Sequence, residues 1–356
     1  FNWASSAYAD GLYQGGINDA DYWQREAYAA ACLLYTPARG LAVGYSADYI
    51  FNNLNSSLAT DTHPYRHTVL QALTARLTRR RFTLTARLLY SLYMNGAQSG
   101  ASARDTRRLS PSVSASYRLL SGEELYVRLA YKNIFRAPTF NESYFYHYGS
   151  TDLLPESTDQ LNLGLTWRRG YGRGSSFRLS ADVYANRVKD KIVAVPFNMF
   201  VWTNINVGRV TGRGVEAEAT VSQRLGRRVT LTATANYSWQ NCTNTTNDDS
   251  PYYGNQIAYV PEHTGSAALS LENPWVNISV HGHGMSHRYT NNEHYDGTRV
   301  AGYVEAGLTA YRAWRLGAGT IELRADVKNI FDKQYELVAK YPMPGRSYQV
   351  SAKYSF

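Results

Sequence analysis

Residues 346–356 read RSYQVSAKYSF, and they alternate without a break. Tyr348, Val350, Ala352, Tyr354 and Phe356 fall on one side of an extended chain, with Ser347, Gln349, Ser351, Lys353 and Ser355 on the other. That period of two marks a β-strand with one apolar and one wet face. The pattern recurs upstream. Ile321, Leu323, Ala325 and Val327 alternate with Glu322, Arg324, Asp326 and Lys328; Val215, Ala217, Ala219 and Val221 enclose Glu216 and Glu218; Phe177, Leu179, Ala181 and Val183 enclose Arg178 and Asp182. Turning such a charged set toward lipid would cost roughly 2–4 kcal/mol for each mid-membrane Arg or Lys, and somewhat less for the acids. With the apolar sets against lipid, that penalty fixes the register. A β-sandwich or propeller alternates in the same way with inside and outside exchanged. Strand length, loop asymmetry and aromatics near strand ends, such as Tyr237 with Trp239 and Tyr90 with Tyr93, favour an all-β fold, a transmembrane antiparallel β-barrel with a wet interior.

Outward from the last strand, turn residues bound about fifteen alternating segments. They lie near 24–36, 39–54, 65–77, 81–94, 107–119, 124–135, 158–168, 175–189, 210–223, 228–240, 263–272, 275–289, 302–313, 319–330 and 346–356. Short connections (37–40, 78–80, 120–123, 169–174, 224–227, 273–274, 314–318) alternate with long ones (55–64, 95–106, 136–157, 190–209, 241–262, 290–301, 332–345). Tight turns at one end and long loops at the other are how outer-membrane barrels are built. Single-chain bacterial barrels close with an even number of strands, so an odd count implies a missing upward partner for the first. The chain therefore reads as the back part of a larger barrel, with residues 1–23 as the tail of an outer loop.

Composition agrees. The chain has 30 Tyr, 7 Trp and 11 Phe but only 18% charged residues, a balance that suits strands and membrane interfaces. No apolar run reaches about 18 residues, which excludes helical spans. The net charge of +9 gathers in turns, at Arg79, Arg80 and Arg81, at Arg168, Arg169 and Arg173, and at Arg224, Arg227 and Arg228. A nucleic-acid binder would set such charge in one stripe with stacking platforms, so nucleic acid is not an expected partner. Cys32 and Cys242 are too few and too far apart for a metal or redox motif, and their pairing stays open. No secretory leader precedes Phe1, so the chain reads as processed or as a fragment. There is no G-x-S-x-G elbow, H-E-x-x-H or P-loop, and Gly170, Gly172 and Gly174 read as a turn; an enzyme is not expected.

Residues 131–167, YKNIFRAPTFNESYFYHYGSTDLLPE followed by STDQLNLGLTW, carry a more specific signal. They resemble the strand, loop and strand of TonB-dependent outer-membrane receptors, in which FRAP precedes an NPDLKPE-like element. Ser150 to Glu156 stand in that place, without its Asn-Pro. Residues 329–356, with a PMPGR loop and a terminal Phe, and residues 206–219, NVGRVTGRGVEAEA, are similar to further parts of the same family. The bare physical reading stands beside this: Pro138 removes a ladder donor where a strand stops, and Pro342, Pro344 and Gly345 turn the chain.

The resemblance implies a barrel of about 22 strands around an amino-terminal plug, placed in the bacterial outer membrane. It implies capture of a scarce ligand (ferric siderophore, haem or cobalamin) by the outer loops, and import driven through the plug by the TonB–ExbB–ExbD complex. On that footing residues 1–356 form the carboxy-terminal part of the barrel, the plug and first strands lie outside this chain, outer-membrane lipid surrounds it, and a surface lipoprotein is admitted as a further partner. No cofactor is required, and a metal-containing ligand is admitted. A passive porin is the alternative, and an outer-membrane enzyme a third.

Two groups of residues are candidates for ligand chemistry. His281, His283, Met285 and His287 share one face of a strand whose other face holds Val276, Ile278 and Val280. Imidazoles at i and i+2 with a thioether suit a copper-like or haem-iron site, and equally suit plain hydrogen bonds to the plug. His147 lies where haem-receptor relatives carry a haem-capturing His, while Tyr144, Tyr146 and Tyr148 around it would equally form an aromatic surface for a siderophore or corrinoid. Tyr289, His294 and Tyr295 in a later loop are comparable.

Overall fold

Alternation becomes pairing. The computed structural model describes residues 2–5, 20–57, 62–145, 149–172, 174–196 and 202–356. The chain opens with β1 (Asn2–Ser5), β2 (Ala20–Ala38), β3 (Leu41–Ser56), β4 (Pro64–Arg79) and β5 (Phe82–Ala97). There follow β6 (Thr106–Arg118), β7 (Glu124–Arg136), the helix α1 (Phe140–Tyr144), β8 (Glu156–Tyr171), β9 (Ser175–Pro196) and β10 (Trp202–Arg224). Beyond them lie β11 (Thr230–Asn244), β12 (His263–Glu272), β13 (Asn277–Met285), β14 (Arg288–Tyr289) and β15 (Arg299–Val300). The last are β16 (Tyr303–Leu316), β17 (Gly319–Lys328), β18 (Glu336–Val338), β19 (Tyr341–Pro342) and β20 (Ser347–Ser355). Among the described residues sixteen strands form one sheet in chain order, and β14–β15 and β18–β19 are separate two-stranded ribbons. Two compact units make up the chain: residues 1–115, 130–160 and 187–209, and residues 116–129, 161–186 and 210–356.

The long meander is as expected, with three differences in its bounds. Residues 1–23 are not all loop, because β1 pairs antiparallel with the start of β2, Asn2 opposite Trp23 and Ser5 opposite Ala20. This makes sixteen strands rather than about fifteen. The segment expected as a loop over 190–209 is mostly strand, since β9 runs to Pro196 and β10 starts at Trp202. Those residues show only a brief apolar alternation, Asn204 to Val207, and the unbroken apolar run 192–195, but a membrane-spanning strand needs only about 9–11 residues, and the remainder of a longer one is free of the lipid rule. The strand expected over 275–289 stops at Met285 and restarts as the ribbon strand Arg288–Tyr289. Gly302 lies against this break, where a Cβ would come within 2.9 Å of the His287 nitrogen.

Turn chemistry closes the short ends. Gly40 takes φ +83° between β2 and β3, and a side chain there would run into the Thr78 carbonyl. Arg80 takes φ +48° in the two-residue turn between β4 and β5. Among the described residues no helix is long and apolar enough to cross a membrane. Cys32 and Cys242 are not joined to each other by a disulfide.

Inside and outside are decided by neighbours in sequence. Tyr303 is 6% exposed and Val304 is 71% exposed, although they are adjacent on β16. Val280, Leu308 opposite it, and Val327 opposite Leu308 continue the outward apolar row, while Ser279, Thr309 and Asp326 continue the polar one. The large apolar side chains of this face therefore point away from the polar face and meet no second sheet in their own unit. We expect Val280→Arg to destabilise the folded protein in phospholipid vesicles by roughly 2–4 kcal/mol in a urea titration, with Ser279→Arg close to neutral. Equal costs for the two substitutions would contradict this assignment of faces.

Candidate functional site

In the first unit the loop between β7 and β8 is folded onto the strand ends. Thr139 caps α1, its hydroxyl accepting from Glu142 N–H, while the Glu142 carboxylate accepts from Thr139 N–H at 2.8 Å. This reciprocal capping box fixes the first turn. Arg136, the last residue of β7, then joins both acids of the motif: Nη1 donates to Glu142 at 2.7 Å and Nε to Glu156 at 2.8 Å. The second oxygen of Glu156 accepts Ile192 N–H from the overlong β9. Asn206 on β10 completes the knot, exchanging hydrogen bonds with the backbone of Leu154 and donating to Asp190 O. The FRAP arginine thus ties a loop helix to the STDLLPE element.

Under α1 sits a small core. Phe140 packs with Tyr22 and Leu54, and Phe145 stacks on Tyr22 at 5.2 Å between centroids. The buried Arg66 guanidinium lies 5.2 Å from the Phe140 ring and 5.7 Å from Tyr93, with Nε donating to Asn95. Tyr144 ends α1 half-buried, its hydroxyl accepting Ala103 N–H at 2.7 Å. It therefore holds the loop as well as contributing a ring. Tyr146, His147 and Tyr148 lie outside the described residues.

In the second unit two loops are zipped together. Asn292 accepts from Ala258 N–H and from Asn255, and Tyr259 N–H donates to Tyr289 O at 2.7 Å. Buried Gln256 accepts Cys242 N–H through its side chain and, through its carbonyl, accepts from His294 Nε2 at 2.8 Å. That bond requires the Nε2–H tautomer of His294, whose backbone is left-handed at φ +58°. Its ring stacks on Tyr289 with centroids 3.8 Å apart and planes 14° off parallel, and His287 meets Tyr289 edge-on. Beside them Tyr252 and Tyr295 join hydroxyls at 3.0 Å. With Tyr252 and then Glu293 as partners, the Tyr295 hydroxyl is pushed up to about 12, so the exposed ring stays a neutral phenol at physiological pH. The loop thus presents an aromatic surface backed by buried amides.

Below these loops the polar face carries the histidine strand. Register aligns Glu218, Asn236, Ser266, His283 and Glu305 in one row across β10 to β16. His283 and Met285 line a cleft of about 490 Å³ with Asp182, Glu216 and Glu218. Asp182 is already spent on Arg128 at 2.6 Å. His281 lies over Gly307, where only a missing side chain leaves room for the imidazole, and His283 meets the Tyr303 ring edge-on. Tyr303 in turn stacks on Tyr335, whose hydroxyl donates to Glu305. His287 stands beyond the strand break, apart from the run His281, His283, Met285. Among the described residues no three His, Cys, Asp or Glu side chains converge to hold a metal.

Sequence reading missed Tyr252, Gln256 and Arg66, which have no local motif. The Thr139-x-x-Glu142 box was a visible signal for α1.

A family model described as TonB dependent receptor-like, beta-barrel matches residues 2–330. The iron-regulated outer membrane virulence protein of Vibrio cholerae serotype O1 is 26% identical over 226 residues, 59% of this chain and 32% of that protein. The copper transporter OprC superposes with a TM-score of 0.72 at 16% identity, covering 95% of this chain and 57% of that one. The FrpB iron transporter of Neisseria meningitidis (F5-1 variant) gives 0.71 at 15%, covering 99% and 59%, and the unliganded ferric citrate transporter FecA gives 0.68 at 15%, covering 95% and 55%. The chain thus spans about a third of the curated relative and somewhat over half of each solved structure.

The knot also titrates. Burial raises the Glu142 carboxyl, but the Arg136 hydrogen bond and Thr139 N–H outweigh it and hold it below the usual carboxylate range. A depressed folded value means stabilisation that is complete above the unfolded value and is lost as pH falls through the folded one. Protection of the amides of residues 139–145 and 149–154 against hydrogen exchange, taken relative to the intrinsic rate at each pH, should therefore be high and constant from pH 7 to about 5, with exchange becoming fast relative to that rate below about pH 4. Arg136→Ala should show the fast exchange at every pH; unchanged protection in that variant would dismiss the knot.

Proposed function

Because the chain belongs to the TonB-dependent receptor β-barrel family, with most of its length matched by that family's barrel model, we propose that it is the carboxy-terminal part of a receptor that imports an iron chelate across the bacterial outer membrane. The observation that carries the reading is the zipped loop pair of the second unit, which holds Tyr289 and His294 in a stack beside exposed Tyr295. Stacked rings on a hydrogen-bonded frame are suited to a planar or ring-bearing chelator, whose capture costs little ordering of the protein. Relatives named for iron regulation, iron transport and ferric citrate support iron as the metal. In this reading the metal is cargo rather than a resident cofactor. His281, His283 and Met285 offer soft donors along the polar wall below the loops, and Tyr144 would add a ring to ligand capture in the first unit, while Tyr146, His147 and Tyr148 remain candidates from the sequence that lie outside the described residues. Energy would come from the TonB system acting on a plug, which sets an active receptor apart from a passive porin.

Titration of the full-length receptor with ferric hydroxamate, catecholate and citrate complexes, haemin and cyanocobalamin would identify the cargo. Tyr289→Ala and Tyr295→Ala should each weaken binding of the preferred iron chelate about 2- to 12-fold, corresponding to ~0.5–1.5 kcal/mol for an aromatic pair. Submicromolar haemin binding abolished by His147→Ala, with no binding of the chelates, would replace the chelate reading by haem. Steady ion conductance of the full-length protein in a planar bilayer would replace it by a porin.

A further inference from the structure

Arg312 stands on the side of its strand where a charge is least expected. Along β16, Tyr303, Glu305, Thr309 and Tyr311 face the polar side, whereas Val304, Leu308, Ala310, Arg312 and Trp314 face the apolar side. Register places Arg312 opposite Leu323, which is opposite Ala352; one step nearer the turn, Trp314 is opposite Ile321, which is opposite Tyr354. On the other flank Asn277 is opposite Tyr311, so the row of Arg312 runs on toward Val276. The cation is therefore set in an apolar row, with Trp314 next to it on the same face and Tyr354 in the row of Trp314 two strands away. Among the described residues no carboxylate lies within ion-pair distance of it. Its guanidinium carbon sits 5.3 Å from the centre of the Trp314 ring.

Depth decides what such an arginine can meet. Arg312 is four residues from the strand end at Leu316, and at about 3.4 Å per residue with a tilt of about 40° this is roughly 10 Å from the turn. The penalty that keeps arginine from the bilayer centre fades at that depth, and a long cationic side chain snorkels toward the headgroups. Trp and Tyr concentrate at the same level. The opposite charge available there is phosphate, which the planar guanidinium fork matches with two parallel hydrogen bonds. Short turns lie on the periplasmic side, so the leaflet concerned is the inner one.

We infer that Arg312, backed by Trp314, binds the phosphate of an anionic phospholipid in the leaflet on the short-turn side. The site lies on the lipid-facing surface, away from the polar wall and the loops, and is independent of the cargo. Native mass spectrometry of the full-length receptor, released from neutral detergent with equal amounts of phosphatidylglycerol and phosphatidylcholine, tests it. Phosphatidylglycerol should be retained about fivefold more than phosphatidylcholine. Arg312→Gln should erase that preference. Arg312→Lys, which keeps the charge and serves if the glutamine variant fails to fold, should fall between the two. The turn variant Arg80→Gln should leave the preference intact. Equal retention in wild type and Arg312→Lys, an equal loss in Arg80→Gln, displacement of the lipid by millimolar inorganic phosphate, or a dimer that disappears in Arg312→Gln would each overturn the inference.

Discussion

Every strand here must satisfy two solvents at once, with hydrocarbon against one row of side chains and water against the next. Backbone groups cannot remain unpaired in lipid, which leaves a hydrogen-bonded sheet as the means of crossing. Given the sheet, side-chain periodicity decides its faces, because slipping one residue would carry Glu322, Arg324 and Asp326 into the bilayer and Leu323 and Val327 into water. The contrast between Tyr303 and Val304 is this rule acting on consecutive residues. Loops, cleft and lipid-facing cation are all positioned by it, since each is addressed by strand and by parity.

Functional chemistry collects where the rule lapses. Toward the loop ends of β9 and β10, Ile192, Asn204 and Asn206 reach into the loop between β7 and β8. Arg136 turns the same region into a bracket, with one guanidinium meeting two carboxylates. In the second unit buried Gln256 is the corresponding fixture, serving Cys242 through its amide and His294 through its carbonyl. Both devices spend polar groups on order near the loops, so that aromatic rings can be displayed without collapsing onto one another.

How much of this was legible follows from the same division. Strands over 215–221 or 321–328 were readable because lipid imposes an alternation that any single sequence must display. Residues 190–196 and 202–209 read as loop because their apolar residues alternate only from Asn204 to Val207, although they are strand. Parity assigns His281, His283, Met285 and His287 to one face, and His287 departs from it because the strand breaks after Met285, where Gly302 approaches closely. The contact between Gln256 and His294 spans 38 residues and leaves no local trace. Recognition of the family through FRAP and PMPGR went further than physics alone, and the Arg136 bracket supplies one physical reason for the first of these motifs.

The reach of β9 and β10 has a further outcome. At 22 and 23 residues they are about twice as long as a crossing requires. Where the surplus lies beyond the membrane, its described part is hydrogen-bonded ladder rather than coil, and it carries Ile192, Asn204 and Asn206, which hold the loop between β7 and β8. Movement of that loop therefore has to drag paired strands with it.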